Sequence, residues 1–154
     1  IYDCIGSETD IYYSVENNTL GEAALICISE IGEENIKGGF LSEPKLVGRG
    51  RAYRKGFTTT NKTKLAVCAK LKALIETKKM TVASSNLISE LKTFVAAGTT
   101  FKAKLGETDD LVMAMLLVVR MMQLLKDFDS QIDNEVRDAL EDFIEPMPFI
   151  ASFG

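Results

Sequence analysis

Ile11-Tyr12-Tyr13-Ser14-Val15-Glu16-Asn17-Asn18-Thr19-Leu20-Gly21 is the stretch whose reading decides the fold. Its first six residues are rich in β-branched and aromatic types and are closed by Asn17-Asn18, so they predict a strand that ends at an acidic residue. From Thr19 the spacing changes. Leu20, Ala23, Ala24, Ile28 and Ile31 recur at helical intervals until Gly32. Strand, tight turn and helix in succession mark an α/β chain.

Working outward, Gly38-Gly39-Phe40-Leu41 predicts a short strand, and Pro44 to Thr60, rich in Gly, Arg, Lys and Thr, a loop or a β-ribbon. Thr60 or Asn61 caps a helix running to about Lys78, with Leu65, Cys68, Ala69, Leu71, Leu74 and Ile75 as its apolar positions. Met80-Thr81-Val82 reads as a short strand. Ser84 or Ser85 caps the next helix, whose apolar face is Leu87, Ile88, Leu91, Phe94 and Val95 and which Gly98 ends. Phe101 to Leu105 is a short strand or an extended link. A helical pattern then runs from Thr108 to about Phe128, and an acidic amphipathic segment from Gln131 to Ile144 predicts one more helix. The whole, 1–154, reads as one α/β domain with an acidic helical extension over 127–154.

The length of 154 residues suits one domain with a real core. The net charge of −4 argues weakly against a nucleic-acid binder, but the average hides a basic stretch. Between Pro44 and Ile75 there is no Asp or Glu, while that stretch holds half of all Lys and Arg: Lys45, Arg49, Arg51, Arg54, Lys55, Lys62, Lys64, Lys70 and Lys72. The acids collect toward the C-terminus instead, from Asp127 to Glu145.

Cys4, Cys27 and Cys68 are odd in number and widely spaced, and there is no histidine, so no zinc site is expected and the cysteines read as reduced packing residues. The lack of histidine also excludes Ser-His-Asp and Cys-His chemistry, leaving carboxylates, lysine or bound metal. No secretory signal is evident. The most apolar run, Leu111 to Val119, falls short of the ~20 residues a bilayer needs, so it reads as a buried helix. No Walker A pattern occurs, so no ATP hydrolysis is expected.

Three places could carry chemistry. Glu16 ends a strand where loops and helix starts converge in open α/β sheets; its plainer reading is a solvated strand-end acid. Gly106-Glu107-Thr108-Asp109-Asp110 opens a helix, where acids often serve only to cap. Helical spacing sets Asp110 above Met113, Ala114, Leu117, Val118 and Met121, all apolar, whereas the row under Asp109 reaches Arg120. Asp110 is therefore expected on the core side. Inward carboxylates are costly unless paired, and a divalent cation shared by Glu16 and Asp110 is one natural partner. Carboxylate-held ions suit phosphodiester hydrolysis, which needs no histidine. The third place is the basic stretch, where Arg49, Arg51, Arg54, Lys55, Lys62 and Lys64 would neutralise backbone phosphates, with an ordinary solvated loop as the alternative.

Val15-Glu16-Asn17-Asn18-Thr19-Leu20-Gly21, Gly56-Phe57-Thr58-Thr59-Thr60 with Lys62-Thr63-Lys64, and Gly106-Glu107-Thr108-Asp109-Asp110-Leu111-Val112-Met113-Ala114 occur in one order over about Ile11 to Leu125. This ordered set resembles the nuclease domain of the large terminase subunit of T4-like tailed bacteriophages, the enzyme that cuts packaged DNA. The resemblance implies a ribonuclease-H or RuvC-like fold, here an incomplete mixed sheet flanked by helices, with three acidic ligands for Mg²⁺ or Mn²⁺. It matches the strand-end Glu to Glu16 and the last acid to Asp110, with Asp109 as a neighbouring or alternative ligand. Many relatives carry His before the Asp pair where this chain has Thr108.

The family's first ligand, an Asp on the strand that opens the domain, has no counterpart, since Asp3 and Asp10 do not sit in a comparable strand. The preceding ATPase domain is likewise unmatched. The resemblance thus implies the C-terminal part of the nuclease, weak or inactive alone. Its implied partners are double-stranded viral DNA, the procapsid portal, a small terminase subunit and the missing N-terminal part. The implied location is the host cytoplasm, transiently at the portal. A rival expectation is a noncatalytic DNA-binding or assembly module, and a third is a resolvase relative of the same fold.

Overall fold

The computed structural model describes residues 11–44 and 55–142, with side chains as far as residue 127. The turn after Glu16 builds the first motif. Asn18 has extended backbone and its side chain accepts from the Gly21 N–H at 2.8 Å, which caps helix α1, Thr19–Ile31. A Cβ on Gly21 would fall 1.6 Å from the carbonyl oxygen of Glu16, which is a bridge residue beyond the Tyr12–Tyr13 strand and not a strand end, so only glycine lets the helix begin this close. α1 stops at Gly32, as its sequence predicts.

Strand β1, Tyr12–Tyr13, pairs in parallel with β2, Gly39–Phe40, and a further parallel bridge joins Glu16 to Phe57. The carbonyls of Ile11, Tyr13 and Val15 accept from the N–H groups of Gly39, Leu41 and Phe57, and the Asn17 N–H donates to Phe57. Backbone groups of successive strand residues face opposite edges. All of these partners therefore line one edge of the 11–17 segment. Among the described residues no backbone partner meets the Tyr12 and Ser14 groups on the other edge.

Helix α2, Asn61–Glu76, starts at a capping box in which Thr60 and Thr63 satisfy each other's backbone N–H groups. Helix α3, Ser85–Thr93, is capped by Ser84. A hairpin follows, β3, Phe94–Ala97, antiparallel to β4, Thr100–Ala103. Only the first residue of its two-residue loop, Gly98, has positive φ, at 63°, the arrangement of a type II′ turn. Helix α4, Asp110–Asp142, is continuous. The core joins Val67 and Leu71 of α2 to Val112, Leu116 and Val119 of α4, with Leu87, Leu91 and Phe94 packed against it. Two compact units, Ile1–Met121 and Met122–Gly154, divide within α4, where sequence reading sets an acidic extension from residue 127. No helix among the described residues is long and apolar enough to cross a membrane.

The mixed α/β class holds, and several expectations are corrected. The described strands form two separate two-stranded sheets, one parallel and one antiparallel, rather than one mixed sheet. Met80–Val82 is not a strand; it has no pairing partner among the described residues, and Met80 packs on the core. The helix over α3 ends at Thr93 instead of Gly98, because Phe94 and Val95 pair with β4. The two helices expected from Thr108 onward are one. Cys68 is half-buried, but Cys27 is exposed and so is not a packing residue, while Cys4 lies outside the described residues.

Candidate functional site

Three helix starts meet at one cavity of about 520 Å³. The start of α1 supplies Glu16 and Asn18, that of α2 supplies Thr59, Thr63 and Lys64, and that of α4 supplies Asp109 and Asp110. Each start carries roughly half a positive charge from its aligned peptide dipoles, so the convergence favours anionic groups there. One wall is apolar, formed by Val67, Met113, Ala114, Leu116 and Leu117, and Arg120 closes the lining.

Glu16 is partly buried, and its Oε2 accepts from Asn18 Nδ2 at 3.2 Å. Its backbone is fixed from both sides, by the bridge to Phe57 and by α1 stacked on its carbonyl. The aspartates are arranged opposite to expectation. Asp110 is exposed, whereas the Asp109 side chain is 29% exposed and its Oδ2 lies 3.8 Å from Lys64 Nζ. The buried stripe of α4 is Val112, Leu116 and Val119, and stepping back one turn from Val112 leads to Asp109. The row under Asp110 contains the exposed Val118, so the inward-facing acid is Asp109.

Lys64 is a lining residue with its side chain 14% exposed, and its ammonium also sits 5.1 Å from the centre of the Phe94 ring. Neither of the other two predicted phosphate contacts among the described residues lies at the cavity. Lys62 is exposed and does not line it, Lys55 is exposed and ion-paired to Glu33, and Arg49, Arg51 and Arg54 lie outside the described residues.

Two residues that sequence reading missed hold the site together. Glu90 of α3 accepts through Oε2 from the N–H groups of Leu111 at 2.8 Å and Val112 at 3.1 Å, and through Oε1 from Thr108 Oγ1 at 3.0 Å. It thus supplies the cap that α4 lacks locally, next to Asp109 and Asp110. Arg120 donates through Nη2 to Glu43 Oε1 at 2.8 Å and stacks 4.8 Å from the centre of Phe57. Glu43 precedes the basic stretch and Phe57 lies within it, so one guanidinium holds the two together. The only sequence signal for Arg120 is a lone cation after nine apolar residues.

Carboxylate oxygens are the donor type that Mg²⁺ and Mn²⁺ take. Among the described residues, however, no three acidic or thiol side chains come together as a ligand set. The donor chemistry fits such an ion; the number of donors does not complete its shell. No family model matches this chain. No curated protein matches it either.

Proposed function

We propose that the chain is the C-terminal part of a ribonuclease-H-like nuclease, of the kind found in the large terminase subunit of T4-like phages, acting on the phosphodiesters of double-stranded viral DNA during packaging. The observation that carries the reading is the gathering of Glu16, Asp109, Asp110 and Lys64 from three separate helix starts around one cavity. These acids are almost a hundred residues apart in sequence, and local capping needs do not require them to meet. Glu16 and Asp110 are the proposed ligands of Mg²⁺ or Mn²⁺, with Asp109 as the alternative that its burial and its Lys64 contact favour. A bound divalent ion would supply charge neutralisation at the phosphodiester; the chain's own part is to fix the carboxylates and to hold the backbone through its cations. The proposed partners are viral DNA, the portal, a small terminase subunit and an N-terminal part bearing a further acid.

The edge of the 11–17 segment that no described strand pairs with supports this reading, since a strand added there would run beside Glu16. The incomplete ligand set favours a second reading, a module that holds DNA and does not cut it.

Mn²⁺ titration followed by NMR separates the two. The nuclease reading expects paramagnetic broadening centred on Glu16 together with Asp110 or Asp109, lost in Glu16→Ala. Broadening spread evenly over surface acids, with DNA binding indifferent to Mn²⁺ and to Glu16→Ala, would leave the second reading standing. Strong Mg²⁺-dependent cleavage by the purified chain, abolished by Glu16→Ala, would refute its being incomplete.

A further inference from the structure

Arg120 is more deeply buried than a structural cation needs to be. Its side chain is only 10% exposed, and of its five N–H donors the Nη2 group alone has a hydrogen-bond partner among the described residues, Glu43. Nη1 is buried with no partner among the described residues. A buried charged donor left unmet is costly, and a leucine or methionine on the Phe57 ring would fill the same space without that cost. The residue also borders the cavity where three helix starts converge, so a group occupying that cavity meets a cation already stripped of water and held in place by Glu43 and Phe57.

We infer that Arg120 is a phosphate contact: it takes a phosphoryl group of a nucleic-acid backbone that flanks the phosphodiester at the carboxylates. The planar guanidinium fork suits phosphate oxygens, and Lys64, facing the same cavity, adds a second cation. Position along α4 separates this contact from the two aspartates. Arg120 follows Asp110 by ten residues, so its Cα lies about 15 Å farther along α4. Asp109 and Asp110 therefore disfavour an anion at one end of the cavity while Arg120, on the Phe57 ring that also neighbours Glu16, attracts one at the other. The contact does not pass through a metal, so it operates without one. It rests on the nuclease reading for its ligand, and on the burial of Arg120 for its existence.

The test uses the full chain labelled with ¹⁵N-arginine, in EDTA, with the Arg120 side-chain resonance assigned by its loss in Arg120→Lys. Inorganic phosphate is one probe and a short blunt DNA duplex the other. The expected result is a saturable shift of the Arg120 Nε–H with both, the duplex acting at lower concentration. Arg120→Lys, which keeps the charge and loses the fork, should bind the duplex about tenfold more weakly. The wild-type shift needs no variant, so a folding defect in Arg120→Lys would leave the test intact. A duplex that moves other arginines and leaves Arg120 still overturns the inference, as does a shift with inorganic phosphate alone, which would make the ligand a free phosphate. Mn²⁺ broadening at the acids with no Arg120 shift removes this inference and keeps the nuclease reading; an Arg120 shift without such broadening does the reverse.

Discussion

Lys64 has three neighbours, and one of them reports on burial. Its ammonium lies between Asp109 and the Phe94 ring, and Cys68 follows one turn later on α2. Burial pushes the Cys68 thiol above its ordinary value of 9.0, against a smaller opposing pull from Lys64. A raised value means that the folded chain keeps this proton over a range in which the unfolded chain has released it. The stability tied to the group is therefore whole below about pH 9 and is lost as the pH climbs through the folded value. Urea midpoints of the wild type and of Cys68→Ala, each at pH 8 and pH 10, check this. The wild type should lose more stability over that interval than the variant. Equal losses would mean that the thiol titrates alike folded and unfolded. Alkylation at pH 8 should likewise reach the exposed Cys27 well before Cys68.

At the scale of elements the decisive contact is the one that starts α4. Its first turn presents N–H groups that no local side chain accepts, and Glu90, some twenty residues earlier, accepts two of them while also holding Thr108. Glu90→Ala should lower stability by about 1–2 kcal/mol, the range of a lost helix cap. Glu90→Gln, which keeps one carbonyl oxygen, should lose roughly half as much. Chemical unfolding of both variants checks the order; an alanine variant as stable as the wild type would leave the cap without energetic weight.

The contrast between caps explains what was legible. Asn18, Thr60 and Ser84 each cap the helix beside them in sequence, so the starts of α1, α2 and α3 could be read directly. Glu90 caps across space, and no local rule finds it. Phe94 and Val95 extend the helical spacing of Leu87 and Leu91, yet pairing with Lys102 and Ala103 takes them into β3. The two-residue turn at Gly98-Thr99 was the available sign of that hairpin. Leu111 to Val119 is apolar all round, so it carried no polar face from which to set the angle of α4, and the expectation that Asp110 is the inward-facing acid failed there. The position of Glu16 at the turn into α1 was legible because that residue, a cap and a required glycine fall within six residues.

For the molecule as a whole, the open question is what lies beside the 11–17 segment. Its bonded edge is filled first by β2 and then by Phe57, while the Tyr12 and Ser14 backbone groups have no backbone partner among the described residues. Tyr12 is also 44% exposed, so among the described residues one strand presents both unpaired backbone and an aromatic surface. Such an edge is a template for another strand, and here that strand would end near Glu16 and the cavity. Amide exchange measures its occupancy residue by residue. In dilute chain, the amides of Phe57 and Asn17, which are bonded to Val15 and Phe57, should be protected, and those of Tyr12 and Ser14 should exchange at nearly the rate of unstructured peptide. If a second copy fills the edge, protection at Tyr12 and Ser14 will rise with concentration while that at Phe57 stays constant. If it takes a strand from the proposed N-terminal part, that polypeptide added in excess will protect the same two amides at low chain concentration, and the Mn²⁺ broadening at Glu16 will sharpen in its dependence on metal. Strong protection of Tyr12 and Ser14 in the dilute chain alone would mean that the edge is already covered, and the incompleteness of the ligand set would then need a cause other than a missing strand.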